Sequence, residues 1–493
     1  MLEGEIFIMN QYSSVKKNFM MNIILTMSSF IFPLITFPYV SRILLPVGTG
    51  KVSFAVSLIS YFNMFAQLGI PTYGICECAK VRDNRMELSR TAHELLLINA
   101  SMSIISYVFF ALAVLFIPKL REEYLLYIIV SFTIFFNAIG MEWLYKALEQ
   151  YSYITIRSVL FKFIALVFMF MLIHEPGDYI IYGGITILAA SASNVMNLLN
   201  IHKYIDMRFI GNYHLKRHIK PIIIFFAMAC ATTIYTNLDT IMLGFMTTDA
   251  NVGYYNAAIR IKTVLVSIVT SLGTVLLPRV SYYIKSGMVK EFYRIVNKSL
   301  NFTFLIASPL MVYFILFARQ GIFFLSGVAY EGAIIPMRII MPTLLLIGIT
   351  NVLGIQILVP LGKEKIVLYS EVAGAVTDCI LNFMLIPKMF AAGAAIGTLI
   401  AEFVVLVVQS FSLREEKNIF FREINYAKII LALFFSGLAA IWVIRFNLGE
   451  FLTLLISACL FFSVYGGALL VMRESFVWEI FAQIMEKTCR RKK

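Results

Sequence analysis

Arg260 lies in an apolar run from 253 to 276. Its polar companions there, Asn256, Thr263, Ser267, Thr270, Ser271 and Thr274, recur at steps of three and four and so form one helical stripe with it. An arginine on such a stripe is a permanent charge in an apolar setting. Its planar fork suits the oxygens of a phosphorylated anion. Asn256 shares that face one turn earlier, while Lys262 points largely the other way and reads as a snorkelling or paired lysine. A second stripe, Ser53, Ser57, Ser60 and Gln67, carries hydroxyls and an amide without a charge. Three more basic residues bear on the same chemistry. Lys162 is expected about 9 Å inside the end of its own run, and Arg42 and Lys51 bracket a hairpin. Arg42 and Lys162 each have an interfacial-anchor reading beside the anion-binding one, and for Lys51 the anchor is preferred. Among acids, Asp239 stands beside Thr236 and Thr240. Glu371, Asp378 and Asn382 share a face at i, i+7 and i+11, and Glu402 is a further acid within an apolar run. Asp239, Glu371 and Asp378 are candidates for a coupling cation or proton. Glu142 and Lys146, four residues apart, suit a plain salt bridge.

The elements that must hold these residues are membrane-spanning helices. Of the 493 residues 60% are hydrophobic and 14% charged, against about 45–50% and 25% in soluble domains. Apolar runs of about 20 residues recur from end to end without strand alternation, each long enough to cross a bilayer as a helix. Fourteen are expected, near 19–40, 52–71, 94–117, 124–142, 157–173, 179–201, 221–243, 253–276, 299–319, 333–360, 367–386, 393–411, 428–446 and 451–472. The fold class is therefore all-α and polytopic. Pro33, Pro38, Pro309 and Pro342 fall inside runs and permit bends.

Charge orients the chain. Thirty lysines and arginines lie on one set of connecting segments, and seven on the other: Arg42, Lys51, Lys119, Arg121, Arg319, Lys388 and Arg445. The positive-inside rule then puts both termini in the cytoplasm. Gly50–Ala55 also lines up with Gly253–Ala258 at an offset of 203, and Leu68-Gly69 and Glu87/Arg90 recur at 204. The expected organisation is a cytoplasmic N-terminus (1–18), a first lobe of six helices (19–201), a linker (202–220), a second lobe in the same orientation (221–411), two further helices (428–472) and a basic tail (473–493). Parallel repeats of this kind mark two-lobed transporters.

Several classes of function are set aside. The net charge of +13 is spread over short loops and not gathered on one face, which argues against nucleic acid as a partner. Cys76 and Cys78 have no second Cys/His pair nearby, so no metal site is expected. Gly48-Thr-Gly-Lys51 lacks the first glycine of a phosphate loop. The sequons at Asn297 and Asn301 fall on or near the cytoplasmic face. No cleavable signal peptide is evident, and Met9 is an alternative start.

Three stretches resemble one family. They are Thr36–Leu44 with Gly50–Ala55 and Tyr61–Gly74; Glu142-Trp-Leu-Tyr-Lys-Ala-Leu-Glu149 through Arg157 and Lys162; and Leu238–Gly244 followed by Gly253–Arg260. They are similar to Wzx-type O-antigen and capsule flippases, in the polysaccharide transporter branch of the MOP (MATE-like) superfamily. The resemblance implies a V-shaped pair of lobes with alternating access in the bacterial inner membrane. It implies an undecaprenyl-pyrophosphate-linked oligosaccharide as substrate, no cofactor, no catalytic residue, and coupling to H+, Na+ or membrane potential. A polysaccharide polymerase and a chain-length regulator are implied partners. Arg260 matches an eighth-helix arginine of related lipid-carrier flippases. A MATE-like drug exporter would favour acidic cavity residues and twelve spans. A membrane-embedded polymerase or glycosyltransferase would need a sizeable outer loop or an acidic catalytic cluster.

Overall fold

The computed structural model describes residues 15–414, 424–446, 448–479 and 481–482; the side chains of Val15, Lys16, Leu272, Thr274, Val275 and Pro278 lie outside that description. Thr274 of the polar stripe, much of the basic tail and most of the N-terminal segment therefore fall outside it. The described residues are helical, with no strand among them. In order the helices are α1 (Val15–Gln67), α2 (Ile70–Lys80), α3 (Arg85–Phe116), α4 (Pro118–Glu122), α5 (Tyr124–Gly140), α6 (Glu142–Ala147), α7 (Tyr151–Leu172), α8 (Tyr179–Ile187), α9 (Asn194–Asn200), α10 (Lys216–Met246), α11 (Asp249–Lys285), α12 (Val289–Leu316), α13 (Ala318–Ser326), α14 (Ile334–Ile340), α15 (Thr343–Asn351), α16 (Glu364–Ser412), α17 (Tyr426–Ile441) and α18 (Glu450–Val471). Among the described residues nine helical stretches are long and apolar enough to cross a membrane, or ten when a pair bent by 44° counts as one span.

Local backbone chemistry explains where the long elements break. The runs expected at 19–40 and 52–71 share α1, which turns at Leu45 (φ 58°) just before Pro46. The runs at 367–386 and 393–411 share α16, which turns at Phe390 (φ 51°), three residues after Pro387. Both breaks place a non-glycine residue at positive φ, which the close packing of the two arms must sustain. Pro342 marks the 44° bend between α14 and α15. Large apolar side chains face outward, Phe163 at 62% and Ile104 at 66% exposure, as a lipid-facing surface requires. The protein is a multi-pass membrane protein.

The chain forms two compact units, Met1–Gly253 and Tyr254–Lys493. In the first, α1 and α7 run parallel with a constant separation of 134 residues. Thr155 Oγ1 donates to the Met21 carbonyl (2.9 Å), Lys162 Nζ reaches Ser28 Oγ (2.8 Å) and the Tyr39 hydroxyl donates to the Ile173 carbonyl (2.8 Å). A core of Ile70, Tyr73, Leu88, Leu95, Trp143 and Leu144 closes one end. Helix α10 belongs to this unit because it packs along α1, with Gly244 against the Phe54 ring and Phe225 against Gly69. In the second unit, Val296, Leu300, Val352, Ile357, Ala432 and Leu469 form a core shared by α12, the segment after α15, and the closing pair α17–α18.

The 203-residue offset is also a spatial relation. Gly50 abuts the Asp249 carbonyl and Gly253 abuts the Pro46 carbonyl, and the same offset converts one contact into the other. A methyl group at either glycine would overlap the facing backbone oxygen. Gly50→Ala and Gly253→Ala are each expected to destabilise the detergent-purified protein by about 1–3 kcal/mol through overpacking. Gly177→Ala, at a glycine with nothing within 4 Å, should leave the melting temperature unchanged.

Candidate functional site

Lys162 shows how this fold treats a cation at membrane depth. Its ammonium lies 2.8 Å from Ser28 Oγ and 2.8 Å from Ser29 Oγ. Both hydroxyl protons are turned to the Leu25 carbonyl, at 2.7 and 3.1 Å, so their lone pairs face Lys162. Among the described residues no carboxylate comes within ion-pair distance of it. Two hydroxyls satisfy two of its three donors without cancelling its charge. Asn22, Thr26 and Ser29 continue an exposed polar line along the same arm of α1.

The remaining expected residues are spread along both units. Arg42 is exposed on α1, and its Nη1 donates to the Pro38 carbonyl one turn back. It stands about 20 Å along the helix from the Lys162 site, so the two do not meet around one small group. Ser57 is buried, its carbonyl accepting from Ser60 Oγ (2.6 Å), and Asp239 is buried on α10. Lys51, read as an anchor, pairs with Glu123, which also accepts from the Tyr179 hydroxyl (2.7 Å). In the second unit Asn256 and Arg260 are half-buried one turn apart on α11, with Lys262 also half-buried. Arg338 is exposed on α14.

The acidic face of α16 is assembled by small residues. Gly397 on its second arm lies so close to its first that a methyl there would come 2.5 Å from Asn382 Oδ1 and 2.9 Å from Asp378 Oδ1. The next residue, Thr398, donates to the Ala394 carbonyl (3.0 Å) and accepts from the Tyr255 hydroxyl (3.0 Å). Tyr255 is the neighbour of Asn256, so the start of α11 is tied to the Asp378–Asn382 face. Asp378 is 2% exposed and Asn382 fully buried, whereas Glu371, two turns away, is exposed. Sequence reasoning missed Tyr255 and Thr398. The i, i+7, i+11 pattern pointed to the face but not to the residues that close it.

Two further networks went unrecognised. Arg157, one of the thirty basic residues that the charge count assigns to connecting segments, is inside α7 and 3% exposed, because Glu142, Ser193 and Asn194 converge on its guanidinium. The expected Glu142–Lys146 pair forms at 2.8 Å but is one edge of this larger cluster. On α3, Glu94 is fully buried and accepts from the His214 backbone N–H (2.6 Å), Arg217 Nη2 (2.6 Å) and His218 Nε2 (2.7 Å). His218 in turn meets the Tyr73 hydroxyl at 2.7 Å. A carboxylate only accepts, so the His218 contact is a donation from Nε2 to Glu94. This cluster clamps the first turn of α10, with His214 just before it, onto α2 and α3.

The family model described as "Polysaccharide biosynthesis protein" matches residues 15–284, and the model "MatE" matches 224–384. The chain is 25% identical to the "Putative O-antigen transporter" of Escherichia coli (strain K12), over 82% of this chain and 98% of that one. It is 23% identical to the protein of the same description from Shigella dysenteriae, over 80% and 98%. Among solved structures it is similar to "Lipid II flippase MurJ, inward closed conformation" (TM-score 0.67, 18% identity, 94% of this chain and 100% of that one). It is also similar to an inward-facing "multidrug resistance MATE family transporter of the MOP superfamily" (TM-score 0.56, 14% identity, 78% and 95%). These likenesses place the fold among polytopic membrane transporters.

The seating of Lys162 generates its own test. Removing both hydroxyls (Ser28→Ala with Ser29→Ala) strands an ammonium among apolar helices and should cost about 1–3 kcal/mol of stability. Adding Lys162→Met removes the stranded charge and should restore most of the loss. The check is thermal unfolding of the three purified proteins; a triple variant no more stable than the double would refute this account.

Proposed function

The chain belongs to the polysaccharide biosynthesis protein family, and from that premise we propose that it flips a polyprenyl-pyrophosphate-linked oligosaccharide across the bacterial inner membrane. The direction is from the cytoplasmic to the outer leaflet, the mode is alternating access, and both termini are cytoplasmic. The protein is a transporter and not an enzyme, in keeping with the transporter and flippase names of its relatives. The observation that carries the reading is the Lys162 site, inside the segment that the family model spans. A cation hydrogen-bonded to hydroxyls, with no carboxylate in ion-pair contact among the described residues, can attract a mobile anion, and a pyrophosphate brings at least two negative charges into low dielectric.

The other roles follow from this assignment. Lys162 meets the pyrophosphate on entry, Arg260 with Asn256 contacts the substrate from the second unit, the Ser57 stripe offers it hydroxyls from the first, and Arg42 attends the exit. Asp239, Asp378 and Glu371 are the coupling candidates for H+ or Na+. The buried Asp378–Asn382 face, tied to α11 through Thr398 and Tyr255, supports Asp378 over the exposed Glu371. A polymerase and a chain-length regulator are the expected partners of the finished reaction.

The test follows the lipid-linked oligosaccharide in a deletion strain and assays which leaflet it occupies. Complete repeat units should accumulate facing the cytoplasm, a wild-type copy should clear them, and an Arg260→Ala copy should not. Units that reach the outer face but stay unpolymerised would overturn the flippase reading in favour of an enzyme. If neither pool changes, an exporter of smaller molecules on the same fold is the better assignment.

A further inference from the structure

The cluster around Arg157 has a part that the proposed transport path does not use. Its Nη2 donates to Glu142 Oε2 (2.8 Å), and Glu142 Oε1 is held by Lys146 (2.8 Å). Its Nη1 serves two acceptors across the helix gap, Ser193 Oγ (2.7 Å) and Asn194 Oδ1 (2.9 Å). Those two residues directly follow a π turn, Leu188–Ala192, between α8 and α9. A π turn shifts every later side chain around the helix axis and is frequent at functional sites. Asn194 then donates from Nδ2 to Asn137 Oδ1 on α5 (3.2 Å), and Asn137 donates to Asn63 Oδ1 on α1 (3.2 Å). Gly140 allows the close approach, since a methyl there would collide with the Asn194 side chain. One guanidinium thus keys an amide ladder through α9 and α5 to α1. It arrives within a turn of Ser60, on the helix that carries the Ser53–Ser57–Ser60 stripe.

A buried ion pair is a poor device for stability alone, because apolar side chains of equal volume do as well. What a fork provides is geometry: two acceptors on one helix and a carboxylate on another, held at once. Lysine supplies the charge but not the fork.

We propose that Arg157 is a positioning residue for transport. By gripping the residues after the π turn it fixes the Asn194–Asn137–Asn63 ladder, and the ladder sets how the serine stripe of α1 is presented. The transport consequence rests on the reading that this stripe faces the transported headgroup; the ladder itself does not.

The variants are Arg157→Lys, Asn194→Ala and their combination, each also made with Ser60→Cys. Arg157→Lys keeps the ion pair with Glu142, so membrane abundance and melting temperature should match wild type. The rate of maleimide alkylation at Ser60→Cys, located by mass spectrometry, should change in both single variants. Clearance of accumulated repeat units in the deletion strain should fall about 10- to 100-fold in both, the order expected for a misplaced contact. The combination should be no worse than either single change, because both cut one ladder. The proposal is overturned if Arg157→Lys alkylates and transports like wild type, if its loss multiplies with that of Asn194→Ala, or if the lysine variant disappears from the membrane, which would make the role one of folding. If alkylation shifts as expected while the wild-type copy itself clears no repeat units, the flippase reading fails and the ladder's control of the stripe stands.

Discussion

A charge taken out of water loses several kcal/mol of solvation even after the protein relaxes, and a lipid-facing fold has no water with which to restore it. Three charged groups show how the fold meets that cost. Glu94 takes a backbone N–H, an arginine and a histidine. Arg157 takes a carboxylate, a hydroxyl and an amide oxygen. Lys162 takes two serine hydroxyls that are themselves anchored on a backbone carbonyl. These requirements fix which helices stand beside one another more tightly than apolar contacts do. Lipid competes for apolar surface as readily as a neighbouring helix, so packing and polar bonds must supply the selectivity.

The same requirement explains the glycines. Close backbone approach is the other source of helix adhesion in lipid, and it needs positions without a side chain. Gly50 and Gly253 bring two turns into mutual contact, Gly140 admits Asn194, and Gly397 seats the Asp378–Asn382 face. At Gly140 the close approach and the polar bonds of Asn194 are one feature. The glycine lets an amide reach a depth at which a methyl would displace it.

Much of this was legible in the sequence, for physical reasons. Runs of about 20 apolar residues are long enough to be spans and little else. The offset of 203 was readable because Gly50 and Gly253 face equivalent backbone carbonyls, so each position excludes every larger residue. A helix converts spacing into a face, which put Asp378 and Asn382 together, while Glu371, expected on the same face, is exposed. The partners were not readable. Glu94 and His218 are 124 residues apart, Arg157 and Asn194 are 37, and no periodicity links positions on separate helices. Arg157 passed for a loop cation because it stands only six residues into α7, where an interfacial arginine would also stand. Only the convergence of Glu142, Ser193 and Asn194 separates the two cases. The breaks at Leu45 and Phe390 were hidden for a similar reason, since a proline nearby announces that a helix can turn but not where.

The two cations of α7 divide the work that basic residues can do in a membrane. They are five residues apart on one helix, so they meet different neighbours. Arg157 faces inward, and a carboxylate balances its charge. Its fork is spent on fixed partners, which makes it a builder of shape with little left to offer a ligand. Lys162 faces the arm of α1, and hydroxyls take two of its three hydrogens without cancelling its charge. Its field remains available to whatever negative group comes alongside. Charge alone does not separate a binding residue from a structural one at membrane depth. The separation lies in whether the partners cancel the charge or only solvate it, and serine does the second where glutamate does the first.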